Sequence, residues 1–360
     1  MSQAIAWIGD PWQLGAGSSD AEGSSSQGPD ANVPPAQDPL PPSPVALDAA
    51  PRNPAASGAW GPPAALALPL DDRGLLLADG LFETLLVEAG RPWRLEEHRQ
   101  RWRESAALLE LPPPPPAQRL LALLAEAVAR SGADSGADSG VWRLNVSRGG
   151  GGRGLDPPAT PATPATPATP GPGPGAGAAG PGAGAGAGPG HKPRFWFSYR
   201  PGGPCFEPVR LVLSRLETRN AASLLSRCKT FAYGGSLLAR REARARGADD
   251  ALLASSAGGL CCATAANLLV RLDGRWCTPP LSSGCLPGIL RGLALEQGLA
   301  VERPLSPEDL GNAEGALLIN SLGCRPVLNF EGMALPASSS RQSALEAEAL
   351  WRELLAGERG

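Results

Sequence analysis

A two-domain fold that mixes helices and strands, of the α+β (α/β) kind, is what the 360-residue sequence predicts. Strand-like and helix-like segments occur on both sides of a stretch too poor in apolar residues to pack. Setting such stretches aside leaves roughly 270 residues, enough for one compact two-domain molecule. Composition marks them: Gly (46) and Pro (40) are far above ordinary usage. Residues 13–62 are rich in Ser, Gly, Pro and Asp and bury too little surface to offset the entropy of ordering, which reads as a disordered insertion. From Pro157 the chain repeats Pro-Ala-Thr to Pro170 and continues as Gly, Ala and Pro to Gly190. That period of three carries no hydrophobic face to stack, so it is a compositional repeat and not a solenoid. The expected division is a smaller N-terminal α/β domain over 1–148, a Gly/Pro-rich linker over 149–193 and a larger C-terminal domain over 194–360.

The elements follow from spacing. A short strand is expected at 4–8, then a hairpin whose strands run over 81–88 and 92–95 around Ala89-Gly90. Helical spacing covers 96–109 until the prolines at 112–116 break it, and 117–130 forms a second amphipathic helix. A strand at 141–146 leads into the glycine-rich run from Ser147 to Gly154. Past the low-complexity stretch, strands are expected at 195–199, 209–214, 251–254, 268–272, 276–278 and 316–320, with helices at 233–246, 289–296 and 344–356.

A net charge of −3 with no basic block argues against nucleic-acid binding and leaves a small molecule as the expected partner. The seven cysteines lack CxxC spacing and only His98 and His191 accompany them, so no metal site is expected. Free thiols suit a reducing cytoplasm. Neither an export signal nor a run of about 18 apolar residues is visible, so no membrane segment is expected.

Lysine is scarce where arginine is abundant: Lys192 falls in the linker and Lys229 in an ordered region. A lone lysine is in most proteins a solvated surface charge, but arginine cannot give up its proton and lysine can, the property Schiff-base chemistry needs, so Lys229 stands as a candidate catalytic residue beside that plainer reading.

Five pieces in register then carry a resemblance. Asp72-Arg73-Gly74-Leu75 with Ala78-Asp79-Gly80-Leu81-Phe82-Glu83-Thr84, Glu97-His98-Arg99-Gln100-Arg101, Lys229-Thr230-Phe231-Ala232-Tyr233, Ala265-Ala266-Asn267-Leu268 and Leu286-Pro287-Gly288-Ile289-Leu290-Arg291 resemble the successive signatures of class IV aminotransferases. The resemblance implies the D-amino-acid-aminotransferase-like fold of fold-type IV enzymes, pyridoxal 5′-phosphate (PLP) as cofactor, a C-terminal domain that binds it, and a homodimer. It implies a Schiff base on Lys229, which also shuttles the substrate's proton. Arg101 would grip the cofactor phosphate as a charge-assisted fork, and Gly288, Ile289 and Leu290 would open a helix whose free N–H groups favour that anion. Asn267 belongs to the same implied set. Ser321 resembles a late polar residue at the phosphate and equally a strand-end turn former. Tyr233 resembles an aromatic beside the cofactor oxygen and equally a core residue of the next helix.

One position departs from the family. Relatives place a carboxylate a few residues before the Asn-Leu pair to bind the pyridine nitrogen, and counting back from Asn267 puts Cys262 there. A neutral thiol does not keep that nitrogen protonated, unless the pyridinium itself stabilises a thiolate. A reaction less electron-demanding than full transamination is therefore expected, or a loss of activity. The run from Arg143 through Arg148-Gly149 to Gly152-Arg153-Gly154 resembles that of 4-amino-4-deoxychorismate lyases, in which Arg148 or Arg153 would meet a substrate carboxylate; a hinge with solvated arginines reads the same way. The lyase gains driving force from aromatisation to p-aminobenzoate. A branched-chain or D-amino-acid aminotransferase shares every cofactor motif, and a non-catalytic relative is the third reading.

Overall fold

The structure is a computed structural model, which describes residues 3–12, 58–132, 139–151, 154–156, 192–336 and 340–356. Two sheets organise it. The first has six strands, β1 (Ile5–Gly9), β2 (Gly58–Gly61), β3 (Gly80–Glu88), β4 (Arg91–Pro92), β5 (Gly140–Ser147) and β6 (Arg194–Pro201), in the spatial order β2-β1-β6-β5-β3-β4. The second comprises β7 (Val209–Arg219), β8 (Asp250–Ser255), β9 (Leu260–Ala263), β10 (Asn267–Leu272), β11 (Arg275–Thr278), β12 (Ala300–Glu302), β13 (Gly315–Asn320), β14 (Gly323–Phe330) and β15 (Met333–Ala334). Its order is β12-β11-β10-β13-β14-β7-β8-β9, with β15 beside β14. The far edge folds back on itself, because Cys262 of β9 also pairs with Asn267 of β10.

The helices are α1 (Arg73–Leu77), α2 (Leu95–Leu109), α3 (Ala117–Arg130), α4 (Gly234–Ala245), α5 (Ile289–Glu296), α6 (Pro307–Gly311) and α7 (Ser340–Ala356). α2 and α3 cover one face of the first sheet, α4 lies on β7 and β8, and α5 and α7 lie on β13 and β14. Leu120, Leu123, Leu124 and Ala127 fall at helical spacing on α3 and are all buried. The chain thus has the mixed two-domain architecture its elements predict. Among the described residues no helix is long and apolar enough to cross a membrane, and none of the seven cysteines is paired.

Two expected boundaries are corrected. β6, counted with the C-terminal domain, is hydrogen-bonded between β1 and β5 in the first sheet. Its alternation explains this: Phe195, Phe197 and Tyr199 share one face, as period-2 geometry requires, and are buried with Trp7, Trp102 and Trp142. The low-complexity run therefore lies within the first domain's sequence, and the passage between sheets is 202–208. The insertion expected over 13–62 is also too long, since Gly58–Gly61 pairs with β1 as β2; the rest of it lies outside the described residues, as does 157–191.

β14 and β9 carry no expected strand. β14 is central, between β13 and β7, yet contains Pro326, which cannot donate to a ladder and normally argues against a central strand. A register shift between Val327 and Asn329 on the β7 side accommodates the irregularity.

Candidate active site

The uncovered face of the first sheet and the loops of the second domain enclose a cavity of about 760 Å³. Phe82, Thr84, Arg143, Ser198 and Arg200 line it from the sheet. Lys229, Tyr233, Cys262, Asn267, Gly288, Ile289 and Ser321 line it from the other side, together with Arg101 of α2. Most of the sequence-derived set thus converges on one space.

Lys229 is positioned by backbone pairing. Phe82 N–H donates to the Lys229 carbonyl at 2.9 Å, Phe231 N–H donates to the Gly80 carbonyl at 3.3 Å, and Thr230 bridges to Leu81, so the lysine segment docks as an extra strand against β3. Gly80 permits the approach: a Cβ there would lie 2.3 Å from the Phe231 ring. The Lys229 ammonium sits 4.5 Å from the Phe82 ring centroid and Nζ–H donates to Tyr233 Oη at 3.3 Å. Burial, then the charge of Arg101, lowers its pKa to about 7, with Arg143 and Arg219 adding to the effect and Glu83 opposing it. An amine half-neutral at pH 7 is competent to attack a carbonyl. Burial raises the Tyr233 pKa, which keeps its hydroxyl protonated. Tyr233 lines the cavity and is the half-buried N-cap of α4, so it is not a core residue of that helix.

Arg101 is held by Glu83 of β3 in a two-point fork, Nε to Oε1 at 2.9 Å and Nη2 to Oε2 at 2.5 Å, while Nη1 donates to the Pro287 carbonyl at 3.0 Å. His98 Nδ1 lies 2.6 Å from Glu83 Oε2, and His98 Nε2 lies 3.2 Å from Ser321 Oγ. Burial opposes ionisation of Glu83, but Arg101 and then His98 outweigh it and bring its pKa to about 2. Burial lowers the His98 pKa against the pull of Glu83. With Glu83 ionised, the network assigns the proton of a neutral His98 to Nδ1, which leaves Nε2 to accept from the Ser321 hydroxyl. One carboxylate thereby orients Arg101 directly and Ser321 through His98.

Gly288 is the N-cap of α5. A Cβ there would fall 1.9 Å from Asn267 Oδ1, so only glycine lets Asn267 close on this turn, where its amide donates to the Leu286 carbonyl at 3.0 Å. Asn267 thus shapes the helix start. Leu290 is different: its side chain is buried in the core and does not line the cavity. Only its backbone N–H, in the first turn of α5, faces the role expected of it.

Arg148, expected to meet a substrate carboxylate, does not line the cavity. Its Nε donates to Asp79 at 2.8 Å, Nη1 to the Glu110 carbonyl at 2.8 Å and Nη2 to the Leu109 carbonyl at 2.7 Å. It caps the carbonyl end of α2, where helix geometry leaves acceptors unmatched. Arg153 lies outside the described residues. Arginines not singled out from the sequence do line the cavity, Arg200, Arg219 and Arg143, the last with its guanidinium 3.6 Å from the Phe82 ring centroid. Glu83 was missed as well; its signal was an acid inside the otherwise apolar run of β3, a place that demands a partner.

A buried, easily deprotonated lysine facing an anion-binding helix start and an anchored arginine is the apparatus of a PLP enzyme. Residues 80–330 match the model of the amino-transferase class IV family, and the chain belongs to that family. Over 272 residues it is 27% identical to a Methanocaldococcus jannaschii protein named "Putative branched-chain-amino-acid aminotransferase", covering 73% of this chain and 83% of that one. A 4-amino-4-deoxychorismate lyase from Pseudomonas aeruginosa superposes with a TM-score of 0.60 at 29% identity, covering 78% of this chain and 94% of its own. A fold IV transaminase from Curtobacterium pusillum gives 0.62 at 27%, covering 84% and 94%. The fold is that of the fold-type IV enzymes, and members of the family are PLP-dependent.

The residues present fit that cofactor. The side-chain-free start of α5 and the remaining N–H groups of Arg101 supply donors for a phosphate, Ser321 lines the same space with its hydroxyl committed to His98, Lys229 supplies the amine for an aldehyde, and the volume admits cofactor and substrate together.

Proposed function

We propose that this protein is a PLP-dependent 4-amino-4-deoxychorismate lyase, which releases pyruvate to leave p-aminobenzoate, a step of folate biosynthesis. The observation that carries the reading is the charge of the sheet wall. Arg143 and Arg200 point into the cavity from β5 and β6, and no acid lines it from that sheet among the described residues. A dicarboxylate suits two guanidinium groups. Arg143 is pre-aimed by its stacking on Phe82 and by donation from Nε to Asn145 Oδ1 at 2.9 Å.

PLP, which Lys229, Arg101 and the start of α5 would hold, would supply an electron sink for the carbon that bears the substrate amine. Lys229 then takes the proton from that carbon, a task suited to an amine with a pKa of about 7. The C–O bond to the enolpyruvyl group breaks as the ring becomes aromatic, and the released enol takes up a proton to become pyruvate. Tyr233 keeps the lysine aimed through its hydroxyl. The test is purified protein supplied with PLP and substrate: p-aminobenzoate and pyruvate appear in equal amounts, and Arg143→Ala raises KM by about 10- to 100-fold, the worth of one charged hydrogen bond. Absence of both products sinks the reading.

An aminotransferase is the second reading, favoured by the apolar side of the same cavity, where Val141, Leu225 and Leu253 would receive an apolar amino-acid side chain. A keto acid formed from branched-chain or D-amino acids, without p-aminobenzoate from the chorismate derivative, would select it.

We also propose that the protein works in the cytoplasm as a homodimer. Its support is Leu75, Leu76 and Leu77 of α1, which are 56%, 62% and 45% exposed, and Leu224 and Leu225, exposed just before the lysine segment. Sedimentation velocity is expected to give twice the chain mass, and lysines in place of Leu75 and Leu76 to shift the distribution toward monomer.

A further inference from the structure

The cavity wall contributed by β7, β8 and β9 presents Arg219, Leu253 and Cys262. Arg219 ends β7, one strand away from the pair formed by Leu253 and Cys262. Its guanidinium is close enough to act electrostatically on the Cys262 thiol, on Lys229 and on Tyr233. Its buried Nε has no hydrogen-bond partner. A donor left over in a cavity is an invitation to a ligand acceptor, because an unmatched buried donor costs about 1–3 kcal/mol. Among the described residues no carboxylate answers it: Glu83 is consumed by Arg101 and His98, and the carboxylate of Glu217, on β7, is turned to the first residues of α4, 2.7 Å from where a Cβ of Gly235 would stand.

Ring chemistry says which acceptor is due. In a pyridine whose aldehyde carbon meets Lys229, the nitrogen lies across the ring from that carbon, and its lone pair needs a donor. Arg101 and α5 would be taken by the phosphate, Ser321 is taken by His98, and Cys262 is a poor donor. We infer that Arg219 donates to the ring nitrogen, with Cys262 beside it, so that the bound cofactor keeps this nitrogen unprotonated. The inference rests on the PLP reading above. A guanidinium cannot surrender its proton, and a second cation on the ring would lie against it, so both hydrogen bonding and Coulomb repulsion hold the nitrogen neutral. The ring then withdraws electrons less strongly. Such a cofactor suits a reaction in which aromatisation of the substrate itself takes up the electrons, as lyase chemistry provides and transamination does not.

The test is the ¹⁵N chemical shift of protein loaded with PLP labelled at the ring nitrogen. The wild type is expected to show the shift of an unprotonated pyridine at neutral pH. Arg219→Lys keeps the charge and holds that signal. Arg219→Leu lets the nitrogen titrate at a higher pH, and Cys262→Glu moves the signal to the protonated position. A protonated signal in the wild type, or a titration unmoved in Arg219→Leu, overturns the inference. Loading itself is read separately, from the visible absorption band of lysine-bound PLP: no band overturns the cofactor reading and the inference with it, whereas a band with a protonated nitrogen overturns the inference alone.

Discussion

Lys229→Ala is expected to abolish product formation, lowering kcat by about 10⁴-fold or more, while leaving the melting temperature of the cofactor-free protein nearly unchanged. Lys229 makes one side-chain hydrogen bond, to Tyr233, and is a buried base held near neutrality, so its loss removes chemistry and little packing. Steady-state assays of both products, with thermal melts alongside, check this. The same group sets a pH dependence for cofactor capture. With a pKa of about 7, raised pH favours the neutral amine that attacks the aldehyde. The neutral fraction rises about tenfold between one unit below and one unit above that value. Stopped-flow capture of PLP by the apoprotein is expected to quicken by that factor over this window. A capture rate flat across it would mean that Lys229 is already neutral in acid, or is not the attacking group.

Glu83→Gln is the change expected to cost the most stability. It leaves Arg101 charged and His98 without its acceptor in a buried setting, a situation that typically costs about 3–5 kcal/mol. In a protein of this size that lowers the melting temperature by on the order of 10 °C. The acid dependence carries the sign. The carboxyl is held at about 2 in the fold against 4.5 unperturbed. Its contribution is therefore complete above pH 4.5 and is lost as pH falls toward 2. Urea melts of wild type and variant across that interval are expected to converge at the acid end. A gap that stays constant would mean that Glu83 acts through its shape and not its charge. Arg101 also loses the fork that aims it, so PLP affinity falls with stability.

Sequence reasoning reached the chemistry of this site more fully than its architecture, for identifiable reasons. Lys229 stood out because the chain has only two lysines, and a residue type chosen against the local bias signals a proton that must move. Arg101, Gly288 and Ser321 lie far apart in the chain, yet each is tied to its neighbours by spacing within a short motif, and those motifs converge on the cavity. Arg148 and Arg143 show where that logic ends. Each is an arginine on or next to β5, and nothing local tells which one spends its donors on the carbonyls of α2 and which enters the cavity. The partner of each is supplied by a distant element. Glu83 went unassigned for the same reason: its partners are 15 and 18 residues away on a helix whose packing angle the sequence does not express. β14 was hidden by Pro326, since local propensity at that residue opposes what the surrounding sheet imposes.

Ser147 at the end of β5 lies opposite Arg194 at the start of β6. These two strands are fastened to each other along their length, so the connection between them joins neighbours within one sheet and not one sheet to the other. A connection between strands already paired tolerates changes of length over generations, because each doubling costs only about 0.6 kcal/mol in closure entropy. The segment whose drift would disturb the cavity is the far shorter passage at 202–208, which alone carries the chain from the sheet bearing Arg143 to the sheet bearing Arg219.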